Sequence, residues 1–195
     1  MAYWTDDILL WANPTKSVRT LADPRFIAAR RALEAGDLHR AGPMLDALLA
    51  EDESEPVMLA LRAEVDVRER RFREAIARFE QSLVIAPGHL AALHGQAYCH
   101  YQMGRLAQAR NLVDRMLWLD PVNMPARLLK AAVAGVSGDN ADAALLYRGV
   151  LAEQPNHYPS LLGLGHSLRI LKRMQGLLVL LSSAALAARD LHTVS

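Results

Sequence analysis

A single cysteine, Cys99, stands in a chain of 195 residues. It excludes an intramolecular disulfide and any metal cluster built on cysteine ligands, and it fits a reducing compartment. Aromatic residues are scarce, at 6%, while Ala and Leu drive an apolar fraction of 52%. That balance favours helix over strand, because strands draw on β-branched and aromatic side chains. No long block of one charge sign occurs: 22 basic and 21 acidic residues are interspersed, for a net charge of +1. The basic stripe of a nucleic-acid binder is therefore missing. The densest basic cluster, Arg68, Arg70, Arg71 and Arg73, has Glu69 and Glu74 set into it and reads as a solvated helix end rather than a phosphate site.

Long apolar runs are missing too. Leu177 to Ala188 is interrupted by Ser182 and Ser183 and falls short of the roughly 20 residues that span a bilayer. Met1 to Asn13 carries Asp6 and Asp7 without a basic flank or long apolar core, so it does not read as a secretory signal. The expectation is a soluble cytoplasmic protein.

Catalytic signatures are likewise wanting. There is no His-Glu-x-x-His, phosphate-cradling glycine loop or serine elbow. Gly163-Leu164-Gly165 lies in a helical pattern rather than after a strand. The seven histidines are scattered; His94 and His100, six apart, point to different helix faces. Cys99 and His100 are neighbours and cannot meet as a nucleophile pair on one face. The reading is of a non-enzyme with no metal and no cofactor.

What the chain does have is a period. Pro87, Pro121 and Pro155 are spaced 34 residues apart, each after a helical pattern that proline ends. Twelve residues upstream of them stand Ala75, Ala109 and Ala143; eight upstream, Phe79, Val113 and Tyr147; twenty-four upstream, Ala63, Ala97 and Ala131. Seventeen upstream stand Arg70, Gly104 and Gly138, where a left-handed residue ends the first helix of a hairpin. Small residues let paired helices approach; larger ones fill the gap between hairpins.

This pattern resembles the tetratricopeptide repeat. The resemblance implies an all-α fold of the α-α superhelix type, a right-handed solenoid of about five helical hairpins. Three full units cover 56–89, 90–123 and 124–157. A degenerate unit precedes them at 22–55, with Gly36-Asp37 at its turn, Ala41 at the packing position and Glu53 in place of proline. Gly42-Pro43 should bend its second helix or delay its start. Another degenerate or capping unit follows at 158–191, where Leu177 replaces alanine and Arg189 replaces proline. Helix pairs are expected near 24–35 with 38–50, 56–69 with 72–86, 90–103 with 106–119, 124–137 with 140–154, and 158–172 with 175–190. Asp23-Pro24 is a start signal, and Asn123 and Asn156 are candidate caps. Residues 1–21 form an N-terminal segment in which Thr5 to Ala12 suits a short helix, with Trp4 and Trp11 packing on the first repeat.

In such arrays the first helix of each hairpin lines a concave groove, so the resemblance implies a protein or peptide partner there. The inward residues would be Phe26, Arg30 and Leu33, then Glu64, Val67 and Arg68, then His94, Tyr98, Tyr101 and Gln102. Leu128, Ala132 and Val136 follow, with Leu162, His166, Arg169 and Ile170 in the last unit. Tyr98 and Tyr101, with His94 one turn earlier, share one face. Tyrosine offers wide contact area with a polar tip, although either ring also suits a core. The Lys, Asn and Arg clamp of chaperone-binding members is absent: the matching sites hold Phe26, Arg30, Leu61, Ala91 and Gly95.

Two further readings attach to the C-terminal part. Pro159 to Arg169, with Gly165, His166, Leu168 and Arg169 in a Gly-His-x-Leu-Lys/Arg motif, is similar to the last repeats of bacterial proteins whose tetratricopeptide region precedes a sulfotransferase domain. This resemblance implies, as an alternative function, the recruitment region of a truncated or split sulfotransferase-like enzyme. Met174 to Ala188 carries no charge, whereas a surface helix keeps a polar side. A neighbouring helix, a second copy joined as a homodimer, or a further domain would cover it.

Overall fold

The computed structural model describes residues 22–52 and 54–192, with side chains up to residue 178. The short helix expected over Thr5 to Ala12, with Trp4 and Trp11, lies outside the described residues. Among the described residues there are nine α-helices and no strand: α1 (Pro24–Glu34), α2 (Leu38–Glu51), α3 (Pro56–Arg68), α4 (Phe72–Ile85), α5 (Leu90–Gln102), α6 (Leu106–Leu119), α7 (Met124–Ser137), α8 (Asn140–Glu153) and α9 (Tyr158–His192). The chain divides into two compact units, Met1–Ala126 and Arg127–Ser195.

In the first unit, α1 with α2, α3 with α4, and α5 with α6 form hairpins, and α3 also packs on α5. Each hairpin closes the same way. At the first turn the Gly36 amide donates to the Leu33 carbonyl at 3.0 Å and the Asp37 amide to the Ala32 carbonyl at 2.9 Å. Arg70 and Arg71 repeat this pair on Val67 and Asp66, and Gly104 and Arg105 repeat it on Tyr101 and His100. This is the Schellman closure, which needs a left-handed residue after the helix. Gly36 and Gly104 meet the need at φ of 80° and 71°. Arg70 meets it at φ 62°, at roughly 1 kcal/mol of strain for an L side chain.

Helix starts follow their caps. The Asp23 carboxylate accepts from the Arg25 amide at 2.8 Å, and Asp37 accepts from the Arg40 amide at 3.1 Å. The second cap explains a departure from expectation: α2 starts at Leu38 with Pro43 inside it, so the proline does not delay the helix. Asn123 accepts from the Ala126 amide at 3.0 Å, as expected. At α9 the capping residue is His157 rather than Asn156, with the Ser160 amide 3.3 Å from its Nδ1.

The core sits between the helices of each hairpin and between neighbouring hairpins. Ala41, Ala63, Ala75, Ala97 and Ala109 are fully buried, as are Phe79 and Val113. The small positions thus stand where helices cross and the large ones fill the remaining space, at the density of close-packed interiors. Polar ties run along the same seam. Arg62 on α3 reaches Asp46 on α2 at 2.7 Å, and one period later Gln96 on α5 donates to Glu80 on α4 at 3.2 Å.

In the second unit α8 packs on α9, Gly138 closes the preceding hairpin at φ 93°, and Ala131 and Ala143 are fully buried. The expected helix pair 158–172 with 175–190 is replaced by one continuous helix of 35 residues. The residue one period after Gly138 is Lys172, and it is followed by Arg173, Met174 and Gln175. All four are good helix formers, and none supplies a stop or a cap.

Candidate partner-binding face

Because α3 and α5 lie side by side, side chains on their common outward face belong to one surface. Positions spaced by the period meet there: Arg30, Glu64 and Tyr98 form one row, with Glu64 buried at 6% exposure beneath its neighbours, and Glu34, Arg68 and Gln102 form another. Tyr98 is 36% exposed. Tyr101 and His94 are half-buried beside it, and Gln102 is exposed. Phe26 and Leu33, expected to line a groove, are core residues at 1% and 2% exposure; α1 meets both α2 and α3, so Phe26 packs with Leu48, Val57 and Met58 and Leu33 with Ala41, Leu45 and Val65.

The charges on this face are already matched. Arg68 donates from Nη2 to Glu64 at 2.5 Å and from Nη1 to the Leu33 carbonyl at 2.7 Å. The guanidinium thereby closes the carboxyl end of α1, where a cation is favoured. Arg30 lies 3.4 Å from Glu34. Burial pushes the His94 imidazole down to about 4, so it is neutral at pH 7. The outcome is a tyrosine-rich, nearly uncharged surface.

The predicted residues divide between the units. Arg30, Glu64, Arg68, His94, Tyr98, Tyr101 and Gln102 lie in the first, and Leu128, His166 and Arg169 in the second. Leu128 and Ala132 are half-buried, and His166 and Arg169 are exposed, with Arg169 Nη2 3.3 Å from His166 Nδ1. Val136 and Leu162 are exposed at 60% and 57%.

Several residues escaped sequence reasoning. Asp66 is fully buried and receives Arg62 at 2.7 Å, Arg71 at 2.6 Å and Arg78. The Arg68 to Arg73 cluster is therefore only partly a solvated helix end, since Arg68 and Arg71 hold buried carboxylates. Burial, with the Asp66 charge nearby, pushes the Cys99 thiol up to about 12 and keeps it protonated and unreactive. Ser82 donates to the Pro56 carbonyl at 2.9 Å, so the Ser82 oxygen accepts from His89 Nδ1, also at 2.9 Å. That assigns the proton to Nδ1 and leaves the buried Nε2 with no hydrogen-bond partner among the described residues. Burial lowers this histidine to about 4. On the second helices, Val84 and Trp118 stand one period apart and are each 81% exposed.

Among the described residues no group of three or more His, Cys, Asp or Glu side chains is placed to hold a metal ion, and no helix is long and apolar enough to cross a membrane.

Residues 66–133 match the tetratricopeptide repeat family. Over 153 residues, 73% of this chain, the protein is 31% identical to cellulose synthase operon protein C of Pseudomonas fluorescens (strain SBW25), covering 12% of that protein. The chain spans 6% to 14% of the length of the curated relatives it matches. A tetratricopeptide repeat protein from Parabacteroides merdae superposes with a TM-score of 0.67 at 18% identity, covering 81% of this chain and 64% of that one. YrrB, described as a tetratricopeptide protein with an unusual peptide-binding site, superposes with a TM-score of 0.61 at 19% identity, covering 81% and 83%. These likenesses show an all-α helical-repeat fold.

Proposed function

We propose that the protein is a non-catalytic docking module that takes a peptide segment of a partner protein on the face shared by α3 and α5. The observation that carries this reading is Tyr98, a large aromatic residue exposed to 36% on a helix face whose charges are internally paired. Rigid aromatic side chains on such faces are the usual anchors of recognition. The peptide-binding site of YrrB, on a related fold, supports it. The buried, protonated Cys99 suits a cytoplasmic setting.

The test places a photo-crosslinking amino acid at Gln102, identifies the captured protein, and measures its affinity for the parent chain and for Tyr98→Ala with Tyr101→Ala. The double substitution should weaken binding by about tenfold or more. Equal affinity would show that the partner sits elsewhere.

One observation favours a second role. Met174, Leu177 and Leu178 on α9 are exposed at 51%, 59% and 65%, and no charge follows until Arg189. Apolar surface of this kind is a site of association, and a second copy of the chain is the proposed cover. Light scattering should give a dimer for the full chain and a monomer for a version ending at Arg173; two monomers would remove this role.

A further inference from the structure

In an antiparallel array every hairpin turn lies at one end of the helices and every connection between hairpins at the other. In the first unit the turn end gathers Arg40, Arg70, Arg73 and Arg105, all exposed. None of the four makes a side-chain ion pair among the described residues, whereas the neighbouring Arg68 and Arg71 are committed to Glu64 and Asp66. Of the acidic groups at this end, Glu34 is paired with Arg30, Asp37 is engaged as the cap of α2, Glu69 faces Arg71, and Glu74 is the remaining exposed carboxylate. The buried carboxylates thus neutralise the inner guanidiniums and leave the outer ones in excess.

Arg70 is the second, independent observation. The equivalent residue of the hairpins before and after it is Gly36 or Gly104, which take the left-handed turn without strain. Here an arginine holds the same backbone at φ 62°. The turn itself has no need of this side chain, since glycine closes it with the same two hydrogen bonds. Residues kept in sparsely populated backbone regions concentrate at functional positions.

We infer that the turn end of the first unit is a second docking surface, separate from the tyrosine face, and that it takes an acidic stretch of a partner protein, rich in Asp and Glu. Carboxylates suit guanidinium forks by two-point hydrogen bonding. Arginines spread over consecutive turns, roughly one helix-packing distance apart, match an extended chain of carboxylates better than a single small anion.

The test uses the full chain and a fluorescein-labelled peptide of about ten glutamates at low ionic strength, where exposed charges are least screened. A Gly-Ser peptide and an oligothymidylate of equal length run beside it. The glutamate peptide should bind and the Gly-Ser peptide should not. Arg70→Gly, which restores the residue used by the sister turns and keeps the fold, should weaken glutamate binding about threefold. Adding Arg73→Gln and Arg105→Gln should take the loss beyond about tenfold. Arg148→Gln in the second unit, and Tyr98→Ala with Tyr101→Ala on the other face, should leave it unchanged. Unaltered binding in the triple variant would overturn the assignment, as would loss of glutamate binding in the tyrosine variant. Oligothymidylate binding as tight as the glutamate peptide would overturn the choice of a protein partner.

Discussion

The ring of Phe79 occupies the space into which a side chain at Gly95 would project: a Cβ there would stand 2.1 Å from Phe79 Cζ. Tyr147 and Gly163 repeat the relationship one double period later, at 2.3 Å. At the intervening register the residues are Val113 and Leu129, and at the preceding one Leu45 and Leu61. In each unit, therefore, an aromatic ring on one helix takes the whole of a packing volume because the facing position on the next helix is a glycine.

Gly95→Ala should destabilise the protein by about 1–3 kcal/mol, since the added methyl group displaces a fully buried ring. Phe79→Val combined with Gly95→Leu, the pair found one repeat later, should recover most of that loss. Thermal melts of the two single variants and the double variant check this; additive losses would refute the shared volume.

Asp66→Asn should cost about 3–5 kcal/mol, because removing one charge from a buried cluster leaves its partners uncompensated. Three guanidiniums converge on this carboxylate. Urea denaturation gives the value, and a change under about 1 kcal/mol would mean that the arginines relax into solvent.

Acid should weaken the fold above the range where carboxylates protonate. His89 is lowered from 6.5 to about 4 by burial, and His94 shifts the same way. The unfolded chain thus takes up these protons first as pH falls from about 7 to 4. Stability is complete above this window and declines within it, by up to about 1.4 kcal/mol per pH unit for each histidine. His89→Asn places at this register the residue found at Asn123, so it should flatten the slope between pH 7 and 5. An unchanged slope would clear His89 of the effect.

Arg25 and Glu51 tie the ends of the first hairpin at 2.6 Å, and Arg127 and Glu153 do the same at the fourth, also at 2.6 Å. The two hairpins between them carry Leu59 with Ile85 and Leu93 with Leu119 at these positions. Arg25→Leu with Glu51→Ile should therefore keep the melting temperature, as exposed ion pairs contribute little. A clear drop would show that this pair anchors the end of the array.

Much of the fold was legible. Pro87, Pro121 and Pro155 mark loops, Gly104 and Gly138 mark turns, and the buried alanines follow, because each depends on local backbone rules that act at a fixed spacing. The pairing of Glu64 with Arg68 was also within reach, being a helical i, i+4 contact. The Asp66 cluster was not, since it draws together residues 46, 62, 66, 71 and 78, whose meeting depends on the completed packing. The exposure of Tyr98 agrees with its helix face, whereas Phe26 and Leu33, two periods before His94 and Tyr101, are buried, because depth depends on neighbours that periodicity does not describe. The missing turn near Lys172 was misread because a regular period invites one more hairpin where no stop signal exists.

Arg62 ends one chain of contacts on Asp46 and the other on Asp66, and so crosses the seam between the first two hairpins. A deletion that removed the first hairpin would strand that guanidinium against a newly bared helix. The repeats are consequently not interchangeable cassettes at this junction. Amide protons of α2 and α3 should exchange with solvent together, as one cooperative block, while later hairpins open at their own pace.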